Sequence, residues 1–224
     1  MTLAEPTSAP PRRDPYRFGN GPGVVLQPGT IGWRVSDLDD SAVEHAWFNG
    51  RYEILQGVLT VIPPAYFMGG NAPFNLLAML KAYTKARGTG ERIAMEVDVV
   101  IDDRRVVVSD GVVLSHDDQR RQEAAARIAH RHDPRRTRVL VPPTLILESL
   151  SPGHEEHDLE TKRGWYAEFG VSHYWVLDAY QKSLDCLRLD AGAYVVDVQG
   201  TNDGSLNPSA FPGLTIPLSE IWNA

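Results

Sequence analysis

Apolar and polar positions fall along this chain in blocks whose spacing predicts ordered elements, after a start that predicts none. Residues 1–25 are rich in Pro, Gly and charge with few side chains able to bury surface, so a flexible tail is expected there. From Ser36, an N-cap residue type, Asp37, Asp39 and Asp40 lead into Val43, Ala46 and Trp47 at near-helical spacing, which predicts a short helix to about Asn49. Tyr52 to Ile62 holds two apolar runs around Gln56-Gly57, stopped by Pro63-Pro64, the pattern of a β-hairpin. Between Ala72 and Arg87, apolar Phe74, Leu77, Ala78, Leu80 and Tyr83 recur at helical spacing and Gly88 follows as a stop.

Aliphatic and β-branched runs then predict strands at Met95–Ile101, Val106–Leu114 and Thr144–Leu150. Between the last two, Asp117 to Arg138 carries Arg120, Arg121, Arg127, Arg131, Arg135, Arg136 and Arg138, read as an exposed helix and loop. Asp158 to Phe169 is helical by pattern and ends at Gly170; His173–Leu177 is a strand, and Leu184–Leu189 with Ala193–Val198 forms a hairpin. The order α-β-β-β-α-β implies an α/β fold, a central mixed β-sheet flanked by helices. Without an internal repeat or a second hydrophobic unit, a single domain over 26–224 is expected, with the Arg-rich stretch 117–138 as an insertion.

Composition changes this picture little. The chain has 224 residues, 42% hydrophobic and 23% charged, with a formal net charge of -7, values of a globular protein rather than a disordered one. The negative charge argues against coating nucleic acid through bulk electropositive field, though not against a local contact. A lone cysteine, Cys186, excludes an intrachain disulfide and a Cys-rich zinc cage and suits a reducing cytoplasm. The start lacks the apolar core of a signal peptide and no apolar run reaches membrane-spanning length, so a cytoplasmic protein outside the membrane is expected.

The candidate chemistry lies in carboxylates placed inside apolar strands. Asp110 interrupts Val106 to Val113, and Glu148 interrupts Leu145 to Leu150. An ionised carboxylate buried without a partner is costly, so each is expected to meet a cation, a donor or a cleft. Strand alternation puts Asp110 on the face of Val108 and Val112 and Glu148 on the face of Ile146 and Leu150. If the strands are neighbours, both can converge on one hard divalent ion. Lys162, on the following helix with Asp158 and Tyr166 at i−4 and i+4, supplies an ammonium that would orient a water and stabilise charge on a phosphate under attack.

Each residue also has a plainer reading. Asp110 beside Gly111 is a common turn pair. Glu148 could be a buried acid satisfied by donors around Ser151, and Lys162 a solvated partner of Asp158. His154 and His157 lack zinc-site spacing and read as surface histidines. The arginine run reads first as a solvated face and second as a phosphate contact, and Trp165, Tyr166 and Phe169 read as core.

Taken in order, Tyr52-Glu53-Ile54-Leu55-Gln56-Gly57-Val58-Leu59, Ser109-Asp110-Gly111-Val112-Val113, Leu145-Ile146-Leu147-Glu148-Ser149-Leu150-Ser151-Pro152 and Asp158…Lys162…Tyr166…Gly170-Val171…Tyr174-Trp175-Val176…Asp178 resemble the Uma-two-type restriction endonuclease family. That family belongs to the restriction-endonuclease-like, PD-(D/E)xK nuclease superfamily. The resemblance runs from about Ser36 to the end, where Phe211-Pro212-Gly213-Leu214…Leu218 also matches. It implies a restriction-endonuclease-like core, with Mg²⁺ or Mn²⁺ at Asp110 and Glu148 and the catalytic lysine moved to the helix as Lys162. Asp98 and Glu53 also fall at positions acidic in the family. The chain departs from the family at Ser109, where proline is usual, and at Pro63 to Asn71, which lacks a histidine. Leu150 fills the place of the strand lysine.

The expectation is thus a Mg²⁺-dependent endonuclease hydrolysing DNA phosphodiester bonds, with nucleic acid as partner and a homodimer compatible with cutting two strands. The rivals are a non-catalytic nuclease-fold protein that binds nucleic acid or a partner chain, and a hydrolase of small phosphate esters.

Overall fold

The computed structural model describes residues 25–62, 71–129, 138–150 and 158–222, and their contacts fall into two compact units. The first comprises the chain up to Pro64 with Val100–Val108; the second comprises Ala65–Val99 and Ser109–Ala224. The expected tail, but for Val25, and His154 and His157 lie outside the described residues.

In the first unit a 3-10 turn, Val35–Asp39, precedes helix α1 (Ser41–Asn49). The cap is Asp40, whose Oδ1 accepts from the Ala42 and Val43 amides at 2.9 and 3.3 Å, and not Ser36 as the sequence suggests. Ser36 instead sits in the 3-10 turn that sinks Leu38 into the core. Strands β1 (Tyr52–Leu55) and β2 (Val58–Val61) form the expected hairpin, with Ile54 opposite Leu59. Its turn needs left-handed backbone at both Gln56 (φ 53°) and Gly57 (φ 83°), which glycine adopts without a Cβ penalty. Ile54 also pairs with Val106, and Leu26, Trp33, Leu38, Val43, Trp47, Ile54, Leu59 and Val106 make this unit's core.

Strands β3 (Arg92–Asp102) and β4 (Arg105–Leu114) pair with each other across the Asp103-Arg104 turn and contribute residues to both units. In the second unit the far half of β4 pairs antiparallel with β5 (Leu145–Ser149), which runs parallel to β6 (His173–Asp178). Antiparallel β7 (Ser183–Asp190) and β8 (Ala193–Thr201) complete a mixed, mostly antiparallel sheet. Helix α2 (Asn71–Arg87) lays Leu76, Leu77 and Leu80 into one core with Leu145, Leu147, Trp175, Leu177 and Cys186. Alternation along each strand sends Tyr174 to the opposite face, where it meets Tyr166 of helix α4 (Arg163–Phe169), described below with the turn that precedes it. The expected α/β sheet with helices on its faces is therefore present.

Helix α3 (His116–Ala129) begins with a reciprocal box, in which Asp118 N donates to Ser115 Oγ and Ser115 N donates to Asp118 Oδ2, at 3.2 and 3.0 Å. The Arg-rich stretch is not wholly exposed. Asp118, Gln122, Ala126 and Arg138 are buried, because Gln122 bridges the Arg138 carbonyl and the Leu140 amide at 2.7 and 2.8 Å. The run over 158–169 is likewise two elements, a π turn Asp158–Lys162 leading into α4. Chain-end elements β9 (Ser205–Leu206), β10 (Ile216–Pro217) and α5 (Ser219–Trp222) were not anticipated, since segments this short carry no periodicity. They bring Leu206, Ile216, Leu218 and Ile221 to the core on the α2 side. Burial, helped by Asp197 and Asp185, pushes the Cys186 thiol well up, so it stays protonated. No helix among the described residues is long and apolar enough to cross a membrane.

Candidate active site

The site grows out of the junction of β4 and β5 in the second unit. Gly111 lies opposite Leu147, Val112 opposite Ile146 and Val113 opposite Leu145. Directly paired residues point to one face, so Val112 and Ile146 share a face, and two residues further along each strand so do Asp110 and Glu148. The turn reading of Asp110-Gly111 fails here, because both residues lie within β4. Gly111 has a packing reason: a Cβ there would stand 2.8 Å from the Leu77 side chain. Just past the paired rungs Asp110 Oδ2 accepts from the Ser149 amide at 2.6 Å, which ties its carboxylate to the residue next to Glu148. On the opposite face Ser109, where the family usually has proline, is fully buried and donates its hydroxyl to the carbonyls of Gly111 (2.9 Å) and Leu147 (3.3 Å). These contacts tie β4 to β5 through a side-chain hydroxyl that a proline, expected here from the resemblance, would not supply.

Glu148 is buried, as its apolar neighbours required. Its Oε1 accepts from the Tyr166 hydroxyl at 2.6 Å, and its Oε2 lies 3.9 Å from Lys162 Nζ. Lys162 is no solvated surface lysine: its side chain is 7% exposed and that of Glu148 5%. Burying a lysine ammonium is expensive, and an acid brought alongside it offsets part of that cost. The π turn ending at Lys162 passes directly into α4, where Tyr166 follows one helical turn later, so both side chains reach the same carboxylate. Sequence reasoning placed Tyr166 on that helix face but gave it only a core role. Its i,i+4 spacing from Lys162 was the available signal.

Further across the same face, Val176 pairs with Glu148 and Asp185 with Val176. Burial raises the Asp185 carboxyl above its ordinary value, while Arg163 pulls it back down. The two other acids noted in sequence sit elsewhere. Asp98 Oδ2 meets Arg138 Nε at 3.1 Å in a nearly buried pair, and Glu53 Oε1 accepts from the Val108 amide at 2.9 Å. Several arginines of the 117–138 stretch are also neutralised locally: Arg120 by Asp117 at 2.7 Å, and Arg121 by Asp118 and Asp117.

No group of three or more His, Cys, Asp or Glu that could hold a metal occurs among the described residues. Mg²⁺ or Mn²⁺ in phosphoryl chemistry needs fewer protein ligands than that, since one or two carboxylates hold it with waters and substrate oxygens completing the shell. Asp110 and Glu148, hard oxygen donors on one face, fit such an ion and do not fit a closed structural cage.

The site thus lies on a mixed sheet with helices on both faces, with a buried acid near the end of β5 and a buried lysine from the turn that precedes α4. The Uma2 family, described as "Putative restriction endonuclease", matches residues 45–219, and the chain belongs to it. The resemblance read from the motifs therefore holds. Among solved structures, one that is similar is a putative nuclease belonging to DUF820 from Anabaena variabilis ATCC 29413. It is 14% identical, with a TM-score of 0.59 over 78% of this chain and 90% of that one, a likeness of fold. No curated protein matches the chain.

Proposed function

We propose that this chain is a Mg²⁺- or Mn²⁺-dependent endonuclease that hydrolyses phosphodiester bonds of DNA. The observation that carries the reading is the buried Lys162–Glu148 pair on the sheet face that also bears Asp110. Membership of a restriction endonuclease family supports the nuclease class. Asp110 and Glu148 would hold the ion, which supplies Lewis-acid polarisation of the scissile phosphate when bound. Lys162 holds its ammonium beside Glu148, where it orients the attacking water for in-line displacement and offsets charge growing on the phosphoryl oxygens. The Asp110–Ser149 hydrogen bond keeps the two acidic strands in fixed relation while this occurs. Cutting both strands of a duplex in one encounter calls for two copies, so a homodimer belongs to this reading.

The test is plasmid nicking by purified protein with Mg²⁺, Mn²⁺ or chelator. Wild type nicks with either ion and stops with chelator, and Lys162→Met and Glu148→Gln each lower the rate by about 100-fold or more, as loss of one charge-stabilising group does. No ion-dependent cleavage of single- or double-stranded DNA would overturn it, and cleavage of RNA alone would move the substrate class. Leu150, standing where the superfamily carries its strand lysine, favours a second reading as a non-catalytic nucleic-acid or protein binder. Binding that survives both chelator and Glu148→Ala would select that reading.

A further inference from the structure

A carboxylate that binds a metal can offer one oxygen or two, and at Glu148 the fold has already assigned one of them. Tyr166 Oη donates to Oε1 at 2.6 Å, within the range of charge-assisted O–H···O⁻ bonds, and Tyr166 is fully buried and Glu148 nearly so. The phenol is held at both ends. Its ring packs on Tyr174 at 5.5 Å between centroids, and Tyr174 packs on Tyr194 at 5.4 Å. Tyr194 is itself fixed by donating its hydroxyl to the Val171 carbonyl at 2.8 Å. On the backbone side the Tyr166 carbonyl accepts from Gly170 N and Val171 N, at 3.1 and 3.0 Å, closing α4 through the left-handed Gly170 (φ 92°). The ring cannot swing away without disturbing both the aromatic row and the helix end.

Tyr166 therefore covers Oε1, and it is Oε2 that lies toward Lys162. We propose that Tyr166 is a positioning residue that makes Glu148 a one-oxygen ligand and so tunes the site for small octahedral cations, Mg²⁺ and Mn²⁺, against Ca²⁺. The inference rests on the metal-dependent reading given above and adds to it the residue that sets ion choice. The physical reason is coordination geometry. Mg²⁺ demands a near-ideal octahedron with short single-oxygen contacts, whereas the larger Ca²⁺ accepts two-oxygen carboxylates in a loose shell. Removing the phenolic hydroxyl exposes Oε1 and lets the carboxylate turn, which costs the small ion its geometry and leaves the large one unharmed. Hydrogen-bond partners of metal ligands typically contribute about 10- to 100-fold in affinity.

The test is calorimetric titration of MnCl₂ and CaCl₂ into wild type, Tyr166→Phe, Glu148→Gln and the control Tyr180→Phe, whose ring is half exposed, with urea unfolding of each. Wild type should bind Mn²⁺ at least about tenfold more tightly than Ca²⁺, a comparison that needs no variant. Tyr166→Phe keeps the ring and its packing; its Mn²⁺ Kd should rise by about tenfold or more while its Ca²⁺ Kd stays within about twofold. Tyr180→Phe should change neither. The inference is overturned if Tyr166→Phe leaves both affinities unchanged, if both weaken by the same factor, or if wild type does not distinguish the ions. Failure of the underlying metal site has a different signature: wild type binds neither ion, or Glu148→Gln binds Mn²⁺ as tightly as wild type, and then both readings fall.

Discussion

The two faces of β5 solve opposite problems with the same five residues of strand. Toward α2, Leu145 and Leu147 join Leu76, Leu77, Leu80, Trp175 and Leu177 in a continuous apolar layer, beside which the buried Ser109 hydroxyl is hydrogen-bonded. Toward α4, Ile146 gives way to Glu148, Tyr166 and Lys162, a buried polar cluster. The first face releases free energy through removal of apolar surface from water, while the second retains charged groups whose desolvation works against folding. The difference teaches that the dry face holds the strand rigid enough for the costly face to keep its geometry.

This contrast can be broken from its apolar side. Trp175→Ala removes a fully buried indole and should cost about 3–5 kcal/mol in urea unfolding, with cleavage per folded molecule nearly unchanged. A loss of activity beyond the loss of folded protein would mean that the faces are not separable. From the polar side, Glu148→Gln should lower cleavage per folded molecule by about 100-fold, equivalent to ~2.7 kcal/mol in the barrier, a loss that Trp175→Ala does not share. Equal losses of cleavage per folded molecule in the two variants would erase the distinction.

A third test sharpens the comparison with a polar group whose role is structural. Burial alone would raise the Asp118 carboxyl, but hydrogen bonds from the Thr144 hydroxyl, Ser115 and Arg121 outweigh it and hold the carboxyl below its ordinary value. A depressed folded-state value means that the native state binds the proton less readily than the unfolded chain. The stabilisation is therefore complete above the ordinary value near 3.8 and is lost as pH falls through the lower folded-state value. Asp118→Asn should cost about 1 kcal/mol at pH 7, the usual worth of a helix cap, and should flatten the acid limb of stability measured between pH 2 and 7. A variant with the wild-type acid limb would remove this role. Smallest of all is the effect of Arg120→Ala. Its pair with Asp117 is about two-thirds exposed on both sides, at 69% and 68%, and its loss should change unfolding by about 0.5 kcal/mol or less.

Much of this contrast was legible in the residues. An acid inside an apolar run signals burial with a partner, and alternation fixed the faces of Asp110 and Glu148 once β4 and β5 proved to be neighbours. The fold class followed from element order. What stayed hidden depends on contacts between distant residues. Tyr166 was visible at i+4 from Lys162, but its bond to Glu148 spans 18 residues of sequence. Arg138 looked like one more surface arginine until Asp98, 40 residues away, took its guanidinium. Ser36 and Asp40 are residue types that cap equally well, so the residues alone did not choose between them; Asp40 caps α1, and Ser36 lies in the preceding 3-10 turn that buries Leu38. Elements as short as β9 and β10 exist because the core beneath them is apolar, and a two-residue strand leaves no pattern to read.

The buried thiol has a practical meaning. Cys186 is the chain's single cysteine, held protonated inside the core, so a thiol reagent meets a chemically silent background in the native protein. One cysteine introduced at an exposed position such as Tyr180 would carry a fluorophore or spin label alone, without first deleting a native residue. The same core that shields the sheet thus leaves its surface open to single-site spectroscopy.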